Sequence, residues 1–277
     1  MGPSAIRYAG LQRRLEYLGL EVHEGGNVRV PVFEEIPRDQ TVDGRPAHHI
    51  SAIASAAEDV YRRMLASVAA EEDVVILGGD HSISLGSVAG ALHRADRVGV
   101  LWVDAHGDFN TPETSPSGNV HGMVVAGLMG RGPESLMVGD RCLQPDQIVM
   151  IGVRDLDPLE RLALRNSGIK VLTMRDIDEN GMAQVVHAAL NVLGNVDAIH
   201  VSFDMDSLDP AVAPGVGTPV PGGLSYREAH LLMEMLADDG RVRSLDIVEI
   251  NPILDTANGT AEVAVSMAAS LLGQRIL

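Results

Sequence analysis

The sequence contains one cysteine, Cys142, and no long apolar run. A single cysteine excludes a disulfide within the chain and favours a reducing compartment. We expect its thiol to be buried as a small apolar group. No stretch of about 18 apolar residues is present, and no basic segment precedes a shorter one, so neither a membrane span nor a secretion signal is predicted. We therefore expect a soluble, cytoplasmic protein that does not enter a membrane.

Positive charge is also scarce. The chain has 21 lysines and arginines against 38 aspartates and glutamates, a formal net charge of −17, and Lys170 is its only lysine. This excess of negative charge would repel the phosphates of nucleic acids and of anionic lipids, so neither is expected as a partner. A small cationic substrate would instead be attracted by it.

Three catalytic signatures are missing from the sequence. No Gly-x-Gly-x-x-Gly follows a predicted strand, which argues against dinucleotide binding, and no Walker lysine is present. The Gly-x-Ser-x-Gly elbow of serine hydrolases is absent as well. The chain does have 45% hydrophobic residues over 277 positions, which is enough for one large core.

Short apolar runs alternate with helical patterns along the chain. This alternation predicts βαβ units and a parallel sheet covered by helices, one of them over residues 50–68 and another after Tyr226. We expect one α/β domain over residues 1–277, a three-layer α/β/α arrangement with a mostly parallel sheet. The predicted strands are 74–77, 98–103, 148–153, 170–173, 198–203 and 244–250.

Two clusters of polar residues follow predicted strands. The first follows 98–103 and the second follows 198–203, and their members are Asp104, His106, Asp108, Asp204 and Asp206. Because side chains along a strand have a period of two, each cluster presents its polar groups on one face. Either cluster alone could be a polar loop end or a turn cap. Together, the four carboxylates would resist ionisation without cations, and two divalent ions would neutralise them.

A third polar turn follows the predicted strand 74–77. It reads Gly78-Gly-Asp-His-Ser82, in which the paired glycines allow a tight turn that places His81 at the same sheet edge as the aspartates. Taken alone, this turn is weak evidence for a ligand. With the aspartates it supplies imidazole and carboxylate without thiolate, a donor set typical of manganese, iron or zinc in catalytic rather than structural sites. The sequence therefore predicts a two-metal enzyme.

Two long loops and one acidic residue complete the candidate site. Residues 107–121 and 209–223 are rich in Gly, Pro, Ser and Thr, and long loops at strand ends usually carry function. Glu249 lies in an apolar run between Val248 and Ile250, where an unpaired charge would be costly. We therefore expect a functional partner for Glu249 rather than an ordinary strand-end carboxylate.

The motifs at these positions resemble those of the arginases, of the short bacterial type, within the ureohydrolase family. The resemblance extends from Gly2 almost to the carboxyl end. Three of the motifs are shared across the superfamily, whereas Ser117 to His121 and Asp157 are the arginase-like features. The motifs are Gly78-Gly-Asp-His-Ser82, Asp104-Ala-His-Gly-Asp-Phe-Asn110, Ser117-Gly-Asn-Val-His-Gly122, Arg154-Asp-Leu-Asp-Pro158, Ser202-Phe-Asp-Met-Asp-Ser-Leu-Asp-Pro210, Gly217-Thr-Pro-Val-Pro-Gly-Gly223 and Glu249-Ile-Asn-Pro252.

The resemblance implies two manganese ions per chain and a role for each matching residue. One ion would be held by His81, Asp104, Asp108 and Asp204, and the other by Asp104, His106, Asp204 and Asp206, with Asp104 and Asp204 bridging. Asn110, Ser117 and Asn119 would receive an α-carboxylate and Asp157 an α-amino group. Glu249 would face a guanidinium, His121 would shuttle protons, and Asp108 would relay a proton to the leaving amine. Ser115, Asp155, Glu160 and Thr218 would be supporting residues.

The implied reaction is hydrolysis of L-arginine to L-ornithine and urea by a homo-oligomer, a trimer or a hexamer. An agmatinase or another ureohydrolase would share the metal ligands, and an inactive, truncated scaffold is a third interpretation. The substrate contacts Asn110, Ser117, Asn119 and Asp157 favour an arginase over an agmatinase. Retention of every metal ligand argues against the inactive scaffold.

The amino terminus departs from the family pattern. Apolar residues at Ile6, Leu11, Leu15 and Leu18 predict a helix that starts almost at once, with Pro3 in its first turn. Family members normally begin with an additional strand and a glycine-rich loop before this segment. We therefore expect that the first strand of the sheet is missing and that the natural reading frame extends upstream of Met1.

Overall fold

The computed structural model of the protein describes residues 1–31, 35–36 and 40–275. Its helices are α1 (Gly2–Tyr8), α2 (Leu11–Tyr17), α3 (Ile50–Ala69), α4 (Ser84–Ala91), α5 (Val124–Leu128), α6 (Pro158–Arg165), α7 (Met174–Asn180), α8 (Met182–Val192), α9 (Tyr226–Asp239) and α10 (Gly259–Leu271). Its strands are β1 (Thr41–Val42), β2 (Arg45–Pro46), β3 (Val74–Leu77), β4 (Val98–Val103), β5 (Ile148–Val153), β6 (Lys170–Thr173), β7 (Ala198–Asp204) and β8 (Val242–Val248). None of the helices within these ranges is long and apolar enough to cross a membrane.

Six strands form one sheet in the order β3-β8-β7-β4-β5-β6, and every neighbouring pair is parallel. The strands β1 and β2 form a separate antiparallel hairpin. The predicted α/β class and parallel sheet are confirmed.

The strand β4 shows why the sheet lies at the centre of the molecule. All six of its residues are buried, as expected for a strand covered by helices on both faces. Alternate side chains enter two different hydrophobic clusters: Leu101 and Val103 pack on one face, and Val100 and Trp102 on the other. The layers are therefore helix, sheet and helix.

Helix α4 lies unusually close to α3. A Cβ atom on Gly86 would come within 2.2 Å of the Ala57 carbonyl oxygen, and one on Gly90 within 2.6 Å of the Met64 side chain. The two glycines therefore permit a backbone approach that any larger residue would prevent. All eight residues of α4 are buried, and its serines Ser84 and Ser87 reach side chains of the sheet.

Element boundaries differ from the sequence prediction by more than one residue at two places. The last strand is β8 (Val242–Val248) rather than 244–250, because Glu249 adopts a left-handed backbone with φ of 65° that ends the strand. The apolar pattern at the amino terminus forms two helices instead of one, because Gly10, with φ of 89°, separates α1 from α2.

The prediction that Cys142 is buried is wrong. Cys142 is exposed, whereas the next side chain, Leu143, is only 1% exposed. In this loop Leu143 takes the inward position, and its neighbour Cys142 is left at the surface.

Candidate metal centre and substrate cavity

The predicted metal ligands meet where the strand order of the sheet reverses. The strands β4 and β7 are neighbours, but the chain continues from β4 to β5 on one side and from β7 to β8 on the other. Side chains at the carboxyl ends of such a strand pair border an open crevice, the usual ligand position in parallel sheets. Asp104 directly follows β4, and Asp204 is the last residue of β7.

Asp104 lies between two histidines. Its Oδ2 atom is 3.1 Å from His81 Nδ1, and its Oδ1 atom is 3.3 Å from His106 Nδ1. Trp102 Nε1 donates a hydrogen bond to Oδ2, and the His106 amide donates one to Oδ1. The two oxygens of this carboxylate, which is 0% exposed, therefore belong to two different groups of candidate ligands.

His81 is enclosed by carboxylates. Its Nδ1 atom lies 3.0 Å from Asp204 Oδ2 and 3.2 Å from Asp108 Oδ2, in addition to Asp104, and it makes no hydrogen bond of its own. The ring stacks on Trp102 with a centroid distance of 4.1 Å and an interplanar angle of 6°. A buried ring nitrogen that faces several carboxylate oxygens without a hydrogen bond is placed as a cation ligand would be.

The side chains form two groups that could each hold an ion. One comprises His81, Asp104 and Asp204, and the other Asp104, His106 and Asp206. Asp206 Oδ2 lies 3.1 Å from His106 Nδ1. The structure thus brings all six predicted metal ligands together. Asp104 is common to both groups, whereas Asp204 belongs to one of them and its Oδ1 accepts the amide hydrogen of Asp206.

Burial makes the charges of this centre interdependent. Burial raises the pKa of Asp108 and that of Asp204 well above their usual range, and the neighbouring Asp104 adds to the effect. The pKa of Asp206 is raised for the same two reasons. Burial would also raise the pKa of Asp104, but the neighbouring His106 and His81 outweigh it and hold the pKa below its usual value. The buried carboxylates therefore need nearby positive charge to be ionised.

The pKa values of the two histidines in this centre are raised as well. Burial opposes the charged form of His81, yet Asp104 and Asp108 raise its pKa to about 9. Burial likewise opposes charge on His106, and Asp104 with Asp206 raises its pKa to about 12. Both shifts show how strongly the pocket favours a cation. Two divalent ions, coordinated by carboxylate oxygens and imidazole nitrogens, would supply that charge, so the donor set fits a binuclear metal site.

Glu249 connects the metal centre to the cavity. Its Oε1 atom accepts the His81 amide hydrogen at 2.8 Å and lies 3.1 Å from His121 Nδ1. The hydrogen bond to Glu249 raises the pKa of His121 despite its burial. Glu249 and Asp108 both have left-handed backbones, with φ of 65° and 47°, which is uncommon outside glycine and often marks functional sites.

Asp157 and Asn110 form one wall of the cavity. Asn110 Nδ2 donates to Asp157 Oδ2 at 3.0 Å, and Asp157 is the N-cap of α6. Glu160 fixes this wall, because its carboxylate accepts the amide hydrogens of Phe109 and Asp157 at 2.9 and 3.2 Å. Burial raises the pKa of Glu160.

The segment Ser115–Asn119 forms a tight turn that also lines the cavity. Ser115 Oγ accepts the Gly118 amide hydrogen, and Ser117 Oγ accepts that of Asn119. Gly118 has φ of 73°, and a Cβ atom there would lie 2.5 Å from Pro46. The β1–β2 hairpin therefore supports the turn and requires glycine at this position.

Arg154 holds the turn that carries Asp206. Its guanidinium donates to the carbonyl oxygens of Asp206, Ser207, Leu208 and Val220, at 2.6–3.3 Å. Burial lowers the pKa of Arg154. Thr218, on the same loop as Val220, donates to Asp206 Oδ2 at 3.0 Å. Arg154 and Thr218 therefore both hold the loop that follows β7.

A cavity of about 240 Å³ opens above the metal centre. It is polar and narrow, which suits a small charged molecule. Asp104 lies beneath it, and the other predicted site residues all contribute to its lining, which comprises His81, His106, Asp108, Asn110, Ser115, Ser117, Asn119, His121, Gly122, Asp155, Leu156, Asp157, Glu160, Asp204, Asp206, Thr218 and Glu249.

The sequence analysis assigned no role to three residues that the structure connects to this site. Ser202 contacts His81, Asp246 lies fully buried behind it, and Arg154 holds the Asp206 turn. A signal was available for Asp246, a charged residue between Leu245 and Ile247 that requires partners for the reason given for Glu249. Ser202 also had one, because it alternates with Asp204 along β7.

Three comparisons place these features among known proteins. A family model described as the arginase family matches residues 1–273. The arginase of Bacillus subtilis is 44% identical over 280 residues, covering 100% of this chain and 93% of the relative. The solved structure of Bacillus caldovelox arginase has a TM-score of 0.95 at 43% identity, over 100% of this chain and 93% of that one. The crystal structure of Entamoeba histolytica arginase in complex with L-ornithine has a TM-score of 0.90 at 32% identity, covering 99% of this chain and 92% of that one.

Proposed function

The chain belongs to the arginase family, and on that premise we propose that it hydrolyses the guanidinium group of L-arginine to L-ornithine and urea. One observation carries the proposal. Two groups of ligand side chains share Asp104 at the base of a cavity whose walls offer separate partners for a carboxylate and for an amine. We assign the reaction to a single catalytic domain over residues 1–277.

We propose manganese for both positions, because carboxylate and imidazole donors without thiolate suit it. When bound, two such cations would neutralise the buried carboxylates and lower the pKa of a water from about 16 toward neutrality. The proposed ligands are His81, Asp104, Asp108 and Asp204 for one ion and Asp104, His106, Asp204 and Asp206 for the other. The position of Asp104 between the two histidines supports its role as a bridge.

The substrate would lie across the cavity with its guanidinium inward. Glu249, with Oε1 already 3.1 Å from His121, would receive the guanidinium, since a carboxylate matches its planar set of donors. At the other end, Asn110, Ser117 and Asn119 would donate to the α-carboxylate, and Asp157 would accept from the α-amino group. Ser115, Asp155, Glu160 and Thr218 would support these contacts, as the hydrogen bonds of Ser115, Glu160 and Thr218 suggest.

Two residues would move protons. Asp108 lines the cavity beside His81 and would relay a proton from the attacking water to the leaving amine. His121 lines the cavity and would exchange protons between the site and solvent. Its contact with Glu249 would hold the ring in place between the substrate and the opening.

We also propose a binding partner, a cellular compartment and an assembly state. The structure of the Entamoeba histolytica relative was solved with L-ornithine, which supports an amino acid ligand here. The lone cysteine supports a cytoplasmic location, and no nucleic acid or membrane is proposed as a partner. We assign a homo-oligomer, a trimer or a hexamer, on the family resemblance. Light scattering of the purified protein tests the assembly.

Urea production tests the function. The protein would be stripped with a chelator, reloaded with Mn²⁺, Zn²⁺ or Mg²⁺, and incubated with L-arginine or with agmatine. We expect urea from L-arginine, the highest rate with Mn²⁺, and little urea from agmatine. A preference for agmatine would identify another ureohydrolase, and no urea from either substrate in the presence of any of the three ions would contradict the proposal.

A further inference from the structure

A chain of buried hydrogen bonds runs from His81 away from the cavity. His81 Nε2 lies 2.8 Å from Ser202 Oγ, which lies 3.2 Å from Ser84 Oγ. Ser84 Oγ donates to Asp246 Oδ2 at 2.6 Å. Ser202, Ser84 and Asp246 are each 0% exposed, so no bulk water competes for these bonds.

The chain is assembled from three elements of the fold. Ser202 and Asp246 are register partners in the neighbouring strands β7 and β8, and Ser84 enters from helix α4. Helix α4 thus places the Ser84 hydroxyl against the sheet. Asp246 is separated from His81 by 165 positions in the sequence but by only two hydroxyl groups in the structure.

The direction of each hydrogen bond follows from Asp246, the acceptor at the far end of this hydrogen-bond chain. An ionised carboxylate accepts only, so Ser84 must use its one hydroxyl hydrogen on Asp246. Ser84 Oγ can then only accept from Ser202, so the hydroxyl hydrogen of Ser202 is used in the bond to Ser84. Ser202 Oγ must therefore accept from His81, which places the ring hydrogen on Nε2 and leaves the lone pair of Nδ1 for the cation.

Several groups keep Asp246 in its ionised form. Ser87 Oγ donates to the same Oδ2 atom at 2.5 Å, and His200 Nε2 lies 3.1 Å from it. Burial alone would raise the pKa of Asp246, but His200 and the two serines outweigh it and hold the pKa below its usual value. The acceptor at the end of the chain is therefore fixed.

We propose that Asp246, acting through Ser84 and Ser202, fixes the tautomer of His81 so that Nδ1 faces the metal centre as a lone pair. Asp246 and Ser84 are thus positioning residues, and this assignment rests on the proposed function because it takes His81 as a metal ligand. Trp102 sets the plane of the ring by stacking, whereas the hydroxyl chain sets which nitrogen carries the hydrogen.

Ser84 and Ser87 provide a matched pair of variants. Ser84 and Ser87 lie on the same buried face of α4 and donate to the same oxygen, but Ser84 alone contacts Ser202. Ser84→Ala breaks the route to His81, whereas Ser87→Ala removes an equivalent bond to Asp246 and leaves the route intact. Both substitutions delete one hydroxyl, so thermal melting checks that any loss of stability is similar.

Zinc is the probe, because it is diamagnetic and permits NMR of the loaded protein. Zn²⁺ affinity would be measured by competition with a chelator, and the His81 Nε2–H signal followed in protein labelled with ¹⁵N-histidine. We expect Ser84→Ala to weaken one of the two Zn²⁺ ions about 10-fold, the usual size of such an effect. We also expect its Nε2–H signal to move upfield and exchange faster with water. Ser87→Ala should match the wild type within about twofold in affinity.

Two outcomes would overturn the inference in different ways. If wild-type protein binds two Zn²⁺ ions and Ser84→Ala behaves like Ser87→Ala in both measurements, the tautomer assignment fails and the proposed function stands. If wild-type protein binds no Zn²⁺ and produces no urea with Mn²⁺, the proposed function fails and the inference fails with it. Asp246→Asn is a second variant, because its amide can donate as well as accept, and it should reproduce the Ser84→Ala spectrum.

Discussion

His121 Nδ1 lies 3.1 Å from Glu249 Oε1, and the same oxygen accepts the backbone hydrogen of His81. One carboxylate atom therefore connects a cavity histidine to the turn that carries a candidate metal ligand. The contact gives His121 a raised pKa and gives Glu249 a fixed orientation. A change at either residue should be detectable at the other.

Glu249→Gln is expected to lower the pKa of His121, because the hydrogen bond to the carboxylate is the largest cause of its increase. The raised pKa of His121 also makes the stability of the protein depend on pH. A histidine with a raised folded-state pKa stabilises the protein below its unfolded pKa of about 6.5, and the contribution is lost as the pH rises through the folded pKa. Glu249→Gln should therefore cost more stability at low pH than at high pH. The measurements are ¹H NMR titration and denaturant unfolding of chelator-treated protein. His230 lies outside this site and has a pKa that is lowered by burial. Its pKa should be the same in both proteins, so it serves as an internal control.

His121→Asn is expected to retain both metal ions yet turn over slowly, since the His121 ring contacts Glu249 and is not one of the proposed ligands. Acid–base groups contribute about 100-fold or more to catalytic rates. Metal content and urea production should be measured across pH 7 to 10. Unchanged turnover over that range would remove His121 from the mechanism.

Asp104→Asn is expected to remove both ions, because the two oxygens of Asp104 face different histidines. The measurement is metal content per chain after gel filtration. Asp96→Asn, at an exposed position, is the control and should keep the wild-type content. Two retained equivalents with near-normal turnover in Asp104→Asn would disprove the bridging assignment.

Asn119→Ala and Asp157→Asn are expected to affect the two substrates differently. Agmatine lacks the carboxylate but keeps the amine, so Asn119→Ala should raise KM about 10-fold for L-arginine alone, whereas Asp157→Asn should raise it for both. Asparagine still caps α6, so the second change should leave the fold intact. Equal effects of Asn119→Ala on both substrates would mean that this residue does not contact the carboxylate.

Arg154→Met is expected to destabilise the protein by about 3 kcal/mol or more, because several buried carbonyl oxygens lose their charged donor at once. Lysine should recover only part of the loss, since its ammonium cannot reach all of them. Arg165→Met, on the exposed side of α6, is the control. Denaturant unfolding gives the comparison, and equal midpoints for the two methionine variants would contradict the role of Arg154 as a clamp.

Much of the site could be predicted because its signals are local. The apolar run before Asp104 indicated where a strand ends, but strand alternation does not place the polar side chains, because they follow β4 and Asp108 has a left-handed backbone. The strand order cannot be obtained in this way, because nothing near Asp104 indicates that β7, about a hundred residues later, is the neighbour of β4. The sheet position of the two clusters therefore came from general rules on parallel sheets.

The remaining differences arise from backbone geometry and from long-range contacts. A left-handed φ at Glu249 ends β8 two residues early, although Ile250 continues the apolar pattern. Gly10 divides a periodic helix pattern that by itself reads as continuous. The partners of Asp246 come from α4 and β7, so its charge signalled a need for partners without indicating which they were.

The order of the strands also constrains how the protein can be made. Within the described residues β3, which precedes the turn carrying His81, has β8 as its one neighbour in the sheet, and β8 is the last strand along the chain. During synthesis this pairing of β3 with β8 must therefore wait until residues 242–248 have left the ribosome. Contacts so distant in sequence slow folding. Completion of the candidate metal centre should thus be a late event that reports arrival of the carboxyl-terminal quarter of the chain.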